Sequence, residues 1–380
     1  MSKRKIILGA ILLVVFTFVA TAGAFFYLLQ LGSNDVASTL KFFRALQIVK
    51  TRYVEDVPID TLMTGAVKGM VGSLGDPHSI YMDPKMYKEF MIETEGSFGG
   101  VGIVIGVKDK MLIVVSPIEG TPGEKAGIKS GDQIIKIDGK DTKDMALDEA
   151  VNQIRGPEGT QVTLTIQRAN EQIKDYTLIR SSIQIKTVAG KMLPENIGYI
   201  RISMFNENTG NDFIRTYQDL EKEGMKAIIL DLRDNPGGLL EECVKVAAKF
   251  VPKGPVVSVV TRDGTRETHT SNLEAVKYPA VVLVNGGSAS ASEIVSGAIQ
   301  DTGAGTLVGT KTYGKGSVQT IRPLDGGAIK LTIAKYLTPN DRSINGVGIE
   351  PDVKVEIPEV REPGKDVQLD KAIEIIKSKM

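Results

Sequence analysis

Three serines alternate with alanine in the segment NGGSASASEIVSGAIQD, residues 285–301, directly after the apolar run 281–284. One interpretation is structural, because Ser290 and Glu293 match an S-x-x-E capping box and apolar residues then recur at helical spacing. The other interpretation is chemical. A serine at a helix N-terminus has its hydroxyl among unpaired backbone N–H groups, which can stabilise an oxyanion forming on a nearby carbonyl. One of the three hydroxyls could therefore be a nucleophile.

A serine nucleophile needs a base, and histidine is the common one. The chain has two histidines, His78 in an N-terminal helical region and His269 in a polar stretch that reads as a hairpin or loop. Neither has the local setting of a triad member, and the chain carries no G-x-S-x-G elbow. Their proximity to the serines in space stays open at this stage.

Lysine is the other base for serine, and the segment TYGKGSVQ, residues 312–319, places Lys315 between two glycines. An exposed lysine has a pKa near about 10.4, so lowering it to 7 or 8 requires on the order of 4 kcal/mol from the surroundings. Flanking glycines let backbone pack closely around the lysine stem. Gln319 would share the face of Lys315 if the segment is extended, so its amide could orient the amine. An isolated G-K-G, however, is more often a surface turn.

The elements that must position these residues alternate between strands and helices from residue 181 onward, which favours an α/β core with a central sheet. The runs 227–232 and 281–284 are apolar, as buried strands are. The strand to Leu232 leads into the turn DLRDNPGG, residues 231–238. On local sequence alone, its Gly-Gly pair is a permissive turn as readily as a functional loop.

A glycine-rich turn, Phe98-Gly99-Gly100-Val101-Gly102, opens a second region of short strands. A strand follows it rather than a helix, which argues against a phosphate-binding loop. With the segment 126–139 and the amphipathic helix 146–154, this region resembles a PDZ domain in the circular order of bacterial proteases. Such domains add a captured chain end as a strand, beside a glycine-rich loop whose backbone N–H groups hold the carboxylate. The resemblance assigns residues 98–102 to that loop and the helix to the other wall of the groove.

The segments VLVNGGSASASEIVSGAIQD, VGTKTYGKGSVQ and YLTPNDRSINGVGIEPD together resemble the carboxyl-terminal processing, or tail-specific, proteases. The likeness covers nearly the whole chain after the N-terminal apolar segment. It implies that Ser290 is the nucleophile, Lys315 the general base and Gln319 the residue that orients it. The backbone N–H of Ala291 is the natural oxyanion donor, and the resemblance places a second donor at Gly237.

Two further details follow from the same motifs. Ser288 and Ser292 are expected to serve turn and helix structure, since only one hydroxyl can occupy the attacking position. The family usually has phenylalanine before G-K-G where this chain has Tyr313, which keeps an aromatic side chain there.

The N-terminus indicates where the protein resides. Lys3, Arg4 and Lys5 precede an uncharged, mostly apolar stretch, residues 6–34. About 20 apolar residues span a bilayer as a helix, and the positive flank should stay in the cytoplasm. We expect a single-pass cell-membrane anchor with the catalytic part outside the cytoplasm. Small residues at positions 20, 22 and 24 resemble a cleavage site, so a removed signal peptide, giving a secreted or periplasmic protein, is the alternative.

Composition excludes several classes of protein. Acidic and basic residues balance at 46 each in 380 residues, which gives no field for nucleic acid. Cys243 is the sole cysteine and is expected in the core, and two histidines make a histidine-based metal site improbable. The expected fold is an α/β and α+β multidomain protein. Its parts are a membrane anchor or signal segment (1–34), an N-terminal helical region (35–95), a PDZ domain (96–180), a serine protease core (181–355) and a C-terminal tail with a short helix (356–380).

These features predict a serine endopeptidase that uses a Ser–Lys dyad and an acyl-enzyme, without metal or cofactor, on polypeptides with free C-termini. Family resemblance suggests a homodimer built from the N- and C-terminal segments. A catalytically silent PDZ scaffold is the first alternative. A histidine-dependent, trypsin-like protease with a PDZ domain is the second, but that type places its protease domain first and carries G-N-S-G-G. Arg168 ends the last predicted PDZ strand and could lie at the seam between the domains. One hypothesis is that a bound chain end moves the PDZ domain, so that Arg168 contacts the core near Gln319 and gates the dyad. The alternative is a solvated arginine at the end of a strand.

Overall fold

The computed structural model describes residues 3–28, 33–168, 173–358 and 364–380. The chain divides into two compact units, Met1–Tyr81 and Met82–Met380. The first unit is helical, as expected, and its elements are α1 (Lys3–Leu28), α2 (Ser33–Arg52), α3 (Ile59–Gly72) and the start of β1 (Ile80–Met82). Residues Ile7–Phe25 of α1 have a mean hydropathy of 2.4 and none of this window is buried. Helix α1 is thus long and apolar enough to cross a membrane, and a signal sequence has the same properties.

The second unit begins with a helix that leads into a small β-domain, here called the PDZ-like domain. Helix α4 (Pro84–Glu95) starts after Asp83, whose carboxylate accepts from the Met86 N–H, and ends at Gly96 in the left-handed region. The elements that follow are β2 (Ser97–Gly100), β3 (Ile103–Lys108), β4 (Met111–Pro117), α5 (Pro122–Lys125), β5 (Gln133–Ile137), β6 (Lys140–Asp141), α6 (Leu147–Ile154), β7 (Gln161–Gln167), β8 (Lys174–Ile179) and β9 (Ser181–Gln184).

The PDZ-like sheet has the order β3-β4-β5-β7-β8, with β6 added to β5. Strand β3 therefore lies at the edge of the sheet, and α6 packs over the sheet through Ala150 and Ile154. The expectation that the strand ending at Arg168 is the last of this domain is wrong, because β8 follows and pairs with β7 along its length. Strand β8 was missed because half of it is polar and its apolar residues alternate only briefly; its exposed side chains are Lys174, Asp175, Thr177 and Ile179.

The remainder of the second unit is an α/β core. Its elements are β10 (Val188–Leu193), a 3₁₀ turn (Pro194–Asn196), β11 (Ile197–Ile202), α7 (Thr209–Lys222), β12 (Ala227–Asp231), α8 (Leu240–Ala247), β13 (Gly254–Thr261), β14 (Arg266–Ser271), β15 (Ala280–Val284), α9 (Ala291–Asp301), β16 (Thr306–Gly309), β17 (Ser317–Leu324), β18 (Gly327–Leu337), β19 (Val353–Lys354) and α10 (Val367–Lys377).

The central sheet of this core has the order β10-β11-β12-β15-β16-β19, and all its pairs are parallel except β10 with β11. Helices α7, α8 and α9 cover one face and α10 covers the other. Both faces are thus buried, which explains why β12 and β15 consist of apolar residues almost throughout. An antiparallel sheet, in which β17 pairs with β18, β18 with β13 and β13 with β14, completes the core.

This topology decides which loops meet. Strands β12 and β15 are parallel neighbours, with Leu230 opposite Val282, so the chain leaves both strands at the same edge of the sheet. The Gly-Gly turn after β12 and the serine run after β15 are therefore brought together.

Candidate active site

Ser290 is the N-cap of α9 and occupies a strained turn. Its φ is 55° and its ψ is −115°, a backbone conformation that residues other than glycine rarely adopt. The Glu293 carboxylate accepts from the Ser290 N–H at 2.9 Å, and the Ser290 carbonyl accepts from the Glu293 N–H at 2.8 Å. The bond of the predicted capping box in which the Glu293 carboxylate accepts from the N-cap N–H is thus present. It fixes the backbone of Ser290, and the residue stays half-exposed.

Glu293 does more than cap the helix, because its fully buried carboxylate also binds the lysine segment. Oε1 accepts from the Thr312 hydroxyl at 2.6 Å and from the Gly314 N–H at 2.7 Å, and Oε2 accepts from the Lys315 N–H at 2.8 Å. The backbones of Ser290 and Lys315 therefore share one carboxylate oxygen. Sequence reasoning recognised Glu293 only as a capping residue and missed this second role.

Tyr336, on β18, reaches the same centre and was also missed. Its side chain is buried, and its hydroxyl donates to the Lys315 carbonyl. Burial, reinforced by the Glu293 carboxylate, holds the pKa of Tyr336 well above its ordinary value, and a hydrogen bond with the Ser290 side chain opposes this effect. The hydroxyl therefore remains protonated, and its one hydrogen is donated to the main chain of the predicted base, Lys315.

Gln319 lies on β17, next to the lysine segment. Its Nε2 donates to the Ser317 hydroxyl at 2.8 Å and to the Thr332 hydroxyl at 3.2 Å. Regular strand structure begins only at Ser317, and the pairing with β18 is irregular at Gln319. The simple alternation that would align Gln319 with Lys315 is therefore interrupted, and its orienting role stays a prediction.

The turn after β12, residues 232–238, is here called the oxyanion loop after the predicted role of Gly237, and it lies against Ser290. Gly237 has φ 102°, and a Cβ atom on it would lie 2.7 Å from the Ser290 Cβ and 2.9 Å from the Ala291 nitrogen. Only glycine fits this approach. The Gly237 N–H donates to Asn235 Oδ1 at 2.9 Å, so binding an oxyanion requires this bond to be shared or exchanged. Among the described hydrogen bonds, none uses the N–H of Ala291, the first residue of α9.

The oxyanion loop is also tied to the C-terminal helix. The Arg233 guanidinium bonds the buried carboxylate of Asp231 at 2.6 Å and that of Asp366, the N-cap of α10, at 2.8 Å. Burial disfavours the charged guanidinium, but these hydrogen bonds outweigh it and raise the pKa of Arg233 further. Tyr199 donates to the same Asp231 carboxylate at 2.7 Å. The start of the loop is thus fixed from the opposite side of the sheet by a charged network that sequence reasoning did not find.

In the PDZ-like domain, the predicted carboxylate-binding loop Phe98–Gly102 precedes the edge strand β3. Glycine is required at two of its positions, since a Cβ on Gly99 would lie 2.0 Å from the Gly156 oxygen and one on Gly102 would lie 2.2 Å from the Thr121 Cβ. Gly102 also has φ 70°. The Phe98 ring lies 4.1 Å below the guanidinium of Arg155, the residue after α6. The loop is thus shaped by close backbone contacts.

A groove of about 480 Å³ runs along α6, and α4 supplies its second wall. Ile92, Leu147 and Val151 form its apolar lining. Its charged and polar lining consists of Lys85, Lys88, Glu89, Asp148, Asn152 and Arg155. This groove lies between α6 and α4, and neither β3 nor the loop 98–102 lines it, so the predicted peptide groove beside that loop stays a prediction.

Arg168 lies in the PDZ-like domain and pairs with Asp132 of the same domain. Its Nε and Nη2 bond the two oxygens of the Asp132 carboxylate at 2.6 and 2.7 Å. Burial raises the pKa of Asp132, but hydrogen bonds from Arg168 and the Lys129 N–H outweigh it, so the pKa lies below its usual range. The predicted contact with the core near Gln319 would require this ion pair to open or the domain to move.

The other candidates considered from the sequence have ordinary surroundings. His269 lies on β14, with its ring nitrogens 3.9 Å from the carboxylates of Glu241 and Glu267. Cys243 is fully buried in the core, as predicted, and burial raises the pKa of its thiol. Within the described ranges, no group of three or more metal-ligating side chains could hold an ion.

The chain matches known protein families in three separate parts. Residues 196–355 match the family model for peptidase family S41, residues 89–167 the PDZ domain, and residues 29–86 the N-terminal domain of the activating protease CtpB.

Individual relatives extend the likeness over most of the chain. It is 42% identical over 322 residues to the carboxy-terminal processing protease CtpA of Bacillus subtilis, covering 84% of this chain and 69% of that one. It is 43% identical over 337 residues to a carboxy-terminal-processing protease of Bartonella bacilliformis, covering 86% and 76%. The solved structure of a photosystem II D1 C-terminal processing protease is similar with a TM-score of 0.50 and 30% identity, over 89% of this chain and 96% of that one.

Proposed function

The chain belongs to peptidase family S41, as a carboxy-terminal processing serine protease with a PDZ domain, and from that premise we propose that it is an extracytoplasmic endopeptidase built on a Ser290–Lys315 dyad. Its substrates are polypeptides whose free C-termini bind the PDZ groove. The observation that carries this proposal is the Glu293 carboxylate, because one oxygen accepts from the N–H groups of both Ser290 and Lys315. A buried carboxylate in this position holds nucleophile and base in one geometry.

In the proposed reaction, the neutral amine of Lys315 takes the proton of the Ser290 hydroxyl as its oxygen attacks the scissile carbonyl. The N–H groups of Ala291 and Gly237 stabilise the resulting oxyanion, with the N-terminus of α9 adding its positive dipole. When the tetrahedral intermediate collapses, Lys315 returns the proton to the leaving amine. Water then hydrolyses the acyl-enzyme, again with Lys315 as base. Gln319 orients the lysine, and Tyr336 holds its main chain.

Recognition is proposed to occur by strand addition to β3. The outer edge of β3 carries no partner strand among the described residues, and α6 packs near β3, with Leu147 and Val151 lining the groove between α6 and α4. A chain end added there would place its carboxylate at the loop 98–102, where backbone N–H groups bind it. The rest of the substrate would then extend toward the dyad.

The proposed domain boundaries lie where the secondary structure changes from helices to strands, or back, along the chain. Residues 1–34 act as a single-pass anchor, or as a signal segment whose removal gives a secreted or periplasmic enzyme. Residues 35–95 and 356–380 support a homodimer, residues 96–180 form the PDZ domain and residues 181–355 form the protease core. The support for the anchor is the length and apolar composition of α1.

The test is proteolysis by the purified ectodomain on a mixture of unfolded proteins, compared with Ser290→Ala. We expect the variant to lose activity by about 10⁴-fold or more, since it lacks the nucleophile. Its melting temperature should change little, and a serine-reactive phosphonate should label the wild type but not the variant. Full activity in Ser290→Ala would exclude this nucleophile, and absence of labelling and cleavage in the wild type would favour a silent PDZ scaffold.

A further inference from the structure

The two outer serines of the run are expected to serve turn and helix structure. Ser288 does accept from the Asn285 N–H of its own turn, but both hydroxyls also donate to carbonyls of the oxyanion loop. We propose that Ser288 and Ser292 are positioning residues that fasten this loop to the nucleophile turn, and so set the distance from the Gly237 N–H to Ser290. The proposal rests on the proposed function, because it concerns the oxyanion hole of that reaction. Both side chains are fully buried, so their hydroxyls have no access to substrate.

Ser292 makes a contact that its place in a helix does not dictate. A serine inside a helix usually donates to a carbonyl of the preceding turn, as Ser296 does to the Ser292 carbonyl at 2.7 Å. The Ser292 hydroxyl instead donates to the carbonyl of Asn235, 57 residues away, at 3.0 Å. The Ala289 N–H donates to the same carbonyl at 3.0 Å. The second half of the loop is thus bound to the serine run by two donors.

Ser288 holds the first half. Its hydroxyl donates to the Leu232 carbonyl at 2.8 Å and accepts from the Asn285 N–H at 2.9 Å. Between these two serine contacts, the Asn285 side chain accepts from the Asp234 N–H at 2.9 Å and donates to the Asp234 carboxylate at 2.8 Å. The segment from Leu232 to Asn235 is therefore held at three points by side chains of the turn that carries the nucleophile.

The contact of Ser292 reaches the oxyanion donor through Asn235. This residue is fully buried, its Nδ2 donates to the Ile202 carbonyl at 2.9 Å, and its Oδ1 accepts from the Gly237 N–H. A shift of the Asn235 backbone would therefore move Gly237, whose Cα lies against Ser290. Since catalysis by an oxyanion hole depends on donors fixed in advance, a loosened loop should reduce transition-state binding more than substrate binding.

The experiment compares Ser292→Ala, Ser288→Ala and the double variant with Ser296→Ala, a buried serine of the same helix whose hydroxyl bonds only within that helix. In Ser292→Ala the Asn235 carbonyl keeps the Ala289 N–H, so this variant should fold. Each protein is assayed for kcat and KM on a short peptide, for inhibition by a peptide boronate that forms a tetrahedral adduct with Ser290, and for its melting temperature.

We expect Ser292→Ala to lower kcat by about tenfold to a hundredfold, because displacing a catalytic group by a fraction of its contact distance has effects of this size. KM should stay within about twofold, and the affinity for the boronate should fall by the same factor as kcat. Ser288→Ala should act in the same direction, the double variant should lose more than either, and Ser296→Ala should match the wild type in kcat.

The positioning proposal is overturned if folded Ser292→Ala and Ser288→Ala have the kcat and boronate affinity of Ser296→Ala. It is also overturned if kcat falls only in proportion to the folded fraction. Ser290→Ala in the same assay separates the two hypotheses. If that variant is inactive while the outer serines are dispensable, only the positioning proposal fails, and if it is active, the proposed dyad fails.

Discussion

The proposed catalytic centre and the proposed peptide groove use polar groups in opposite ways. At the centre, Glu293, Ser288, Ser292 and Asn235 are fully buried and each binds backbone of another segment. Along the groove, Leu147 is 39% exposed, and β3 presents an edge with no partner strand among the described residues. The difference follows from what each region must bind.

A transition state has one geometry, and donors stabilise it best when they are fixed before the reaction begins. Chain ends differ in sequence, so a site that recognises them relies on backbone hydrogen bonds along an open edge. The comparison predicts that substitutions at the centre lower kcat strongly, whereas substitutions in the groove raise KM.

The largest effect on the centre, after loss of the nucleophile, is expected from Lys315→Arg. Arginine keeps its proton at any working pH and cannot act as a base, so this variant should be as inactive as Lys315→Ala, by about 10³-fold or more. The wild-type rate should rise with pH along one basic limb as Lys315 loses its proton. Rates of both variants from pH 6 to 10 test this, and appreciable turnover by the arginine variant would place the base elsewhere, with His269 the next candidate.

Glu293→Gln should have the next largest effect. The carboxylate accepts from one hydroxyl and three N–H groups, and an amide would present its own NH₂ to some of these donors. We expect kcat to fall by about a hundredfold and stability by about 2–3 kcal/mol, the value of hydrogen bonds to a charged group. Urea denaturation and steady-state kinetics measure the two quantities. A variant with wild-type kcat would show that the dyad does not depend on this carboxylate.

In the groove, Val151→Asp should change binding alone. A carboxylate on the groove face of α6 removes apolar surface and repels an incoming chain end, so KM for a protein substrate with a free C-terminus should rise about tenfold. Cleavage of short peptides that do not fill the groove should keep its kcat. Glu149→Gln, on the other side of α6, is the matched control. An equal effect of Val151→Asp on both kinds of substrate would remove the distinction between groove and centre.

The smallest effect is expected from Arg168→Ala. This substitution tests whether peptide binding in the groove changes turnover at the centre. If Arg168 gates the dyad, its loss should lower turnover of short peptides by about fivefold, within the range of allosteric coupling. Asp132→Asn, which weakens the observed ion pair but keeps Arg168, should not lower it. Because Arg168→Ala also leaves a buried carboxylate unpaired, rates are compared per folded protein. Wild-type turnover in both variants, with no acceleration by an added C-terminal peptide, would mean that the PDZ domain only tethers substrate.

The sequence by itself determined the features that depend on near neighbours. The capping pair Ser290 and Glu293 is three residues apart, and the apolar runs of β12 and β15 specify buried strands wherever they are placed. The motifs around Ser290 and Lys315 were sufficient to predict the family. The amphipathic spacing of residues 146–154 was sufficient to predict helix α6.

Only the tertiary structure decided which distant groups share the centre. Glu293 binds Thr312 and Lys315 because the chain returns through β16 to the start of α9. Tyr336, on β18, contacts the same segment through the Lys315 carbonyl. Ser292 meets Asn235 because β12 and β15 are parallel neighbours in a particular register. The sequence does not identify the hydrogen-bond partner of a hydroxyl or carboxylate. A buried polar side chain bonds to the donors and acceptors that the folded sheet brings within reach.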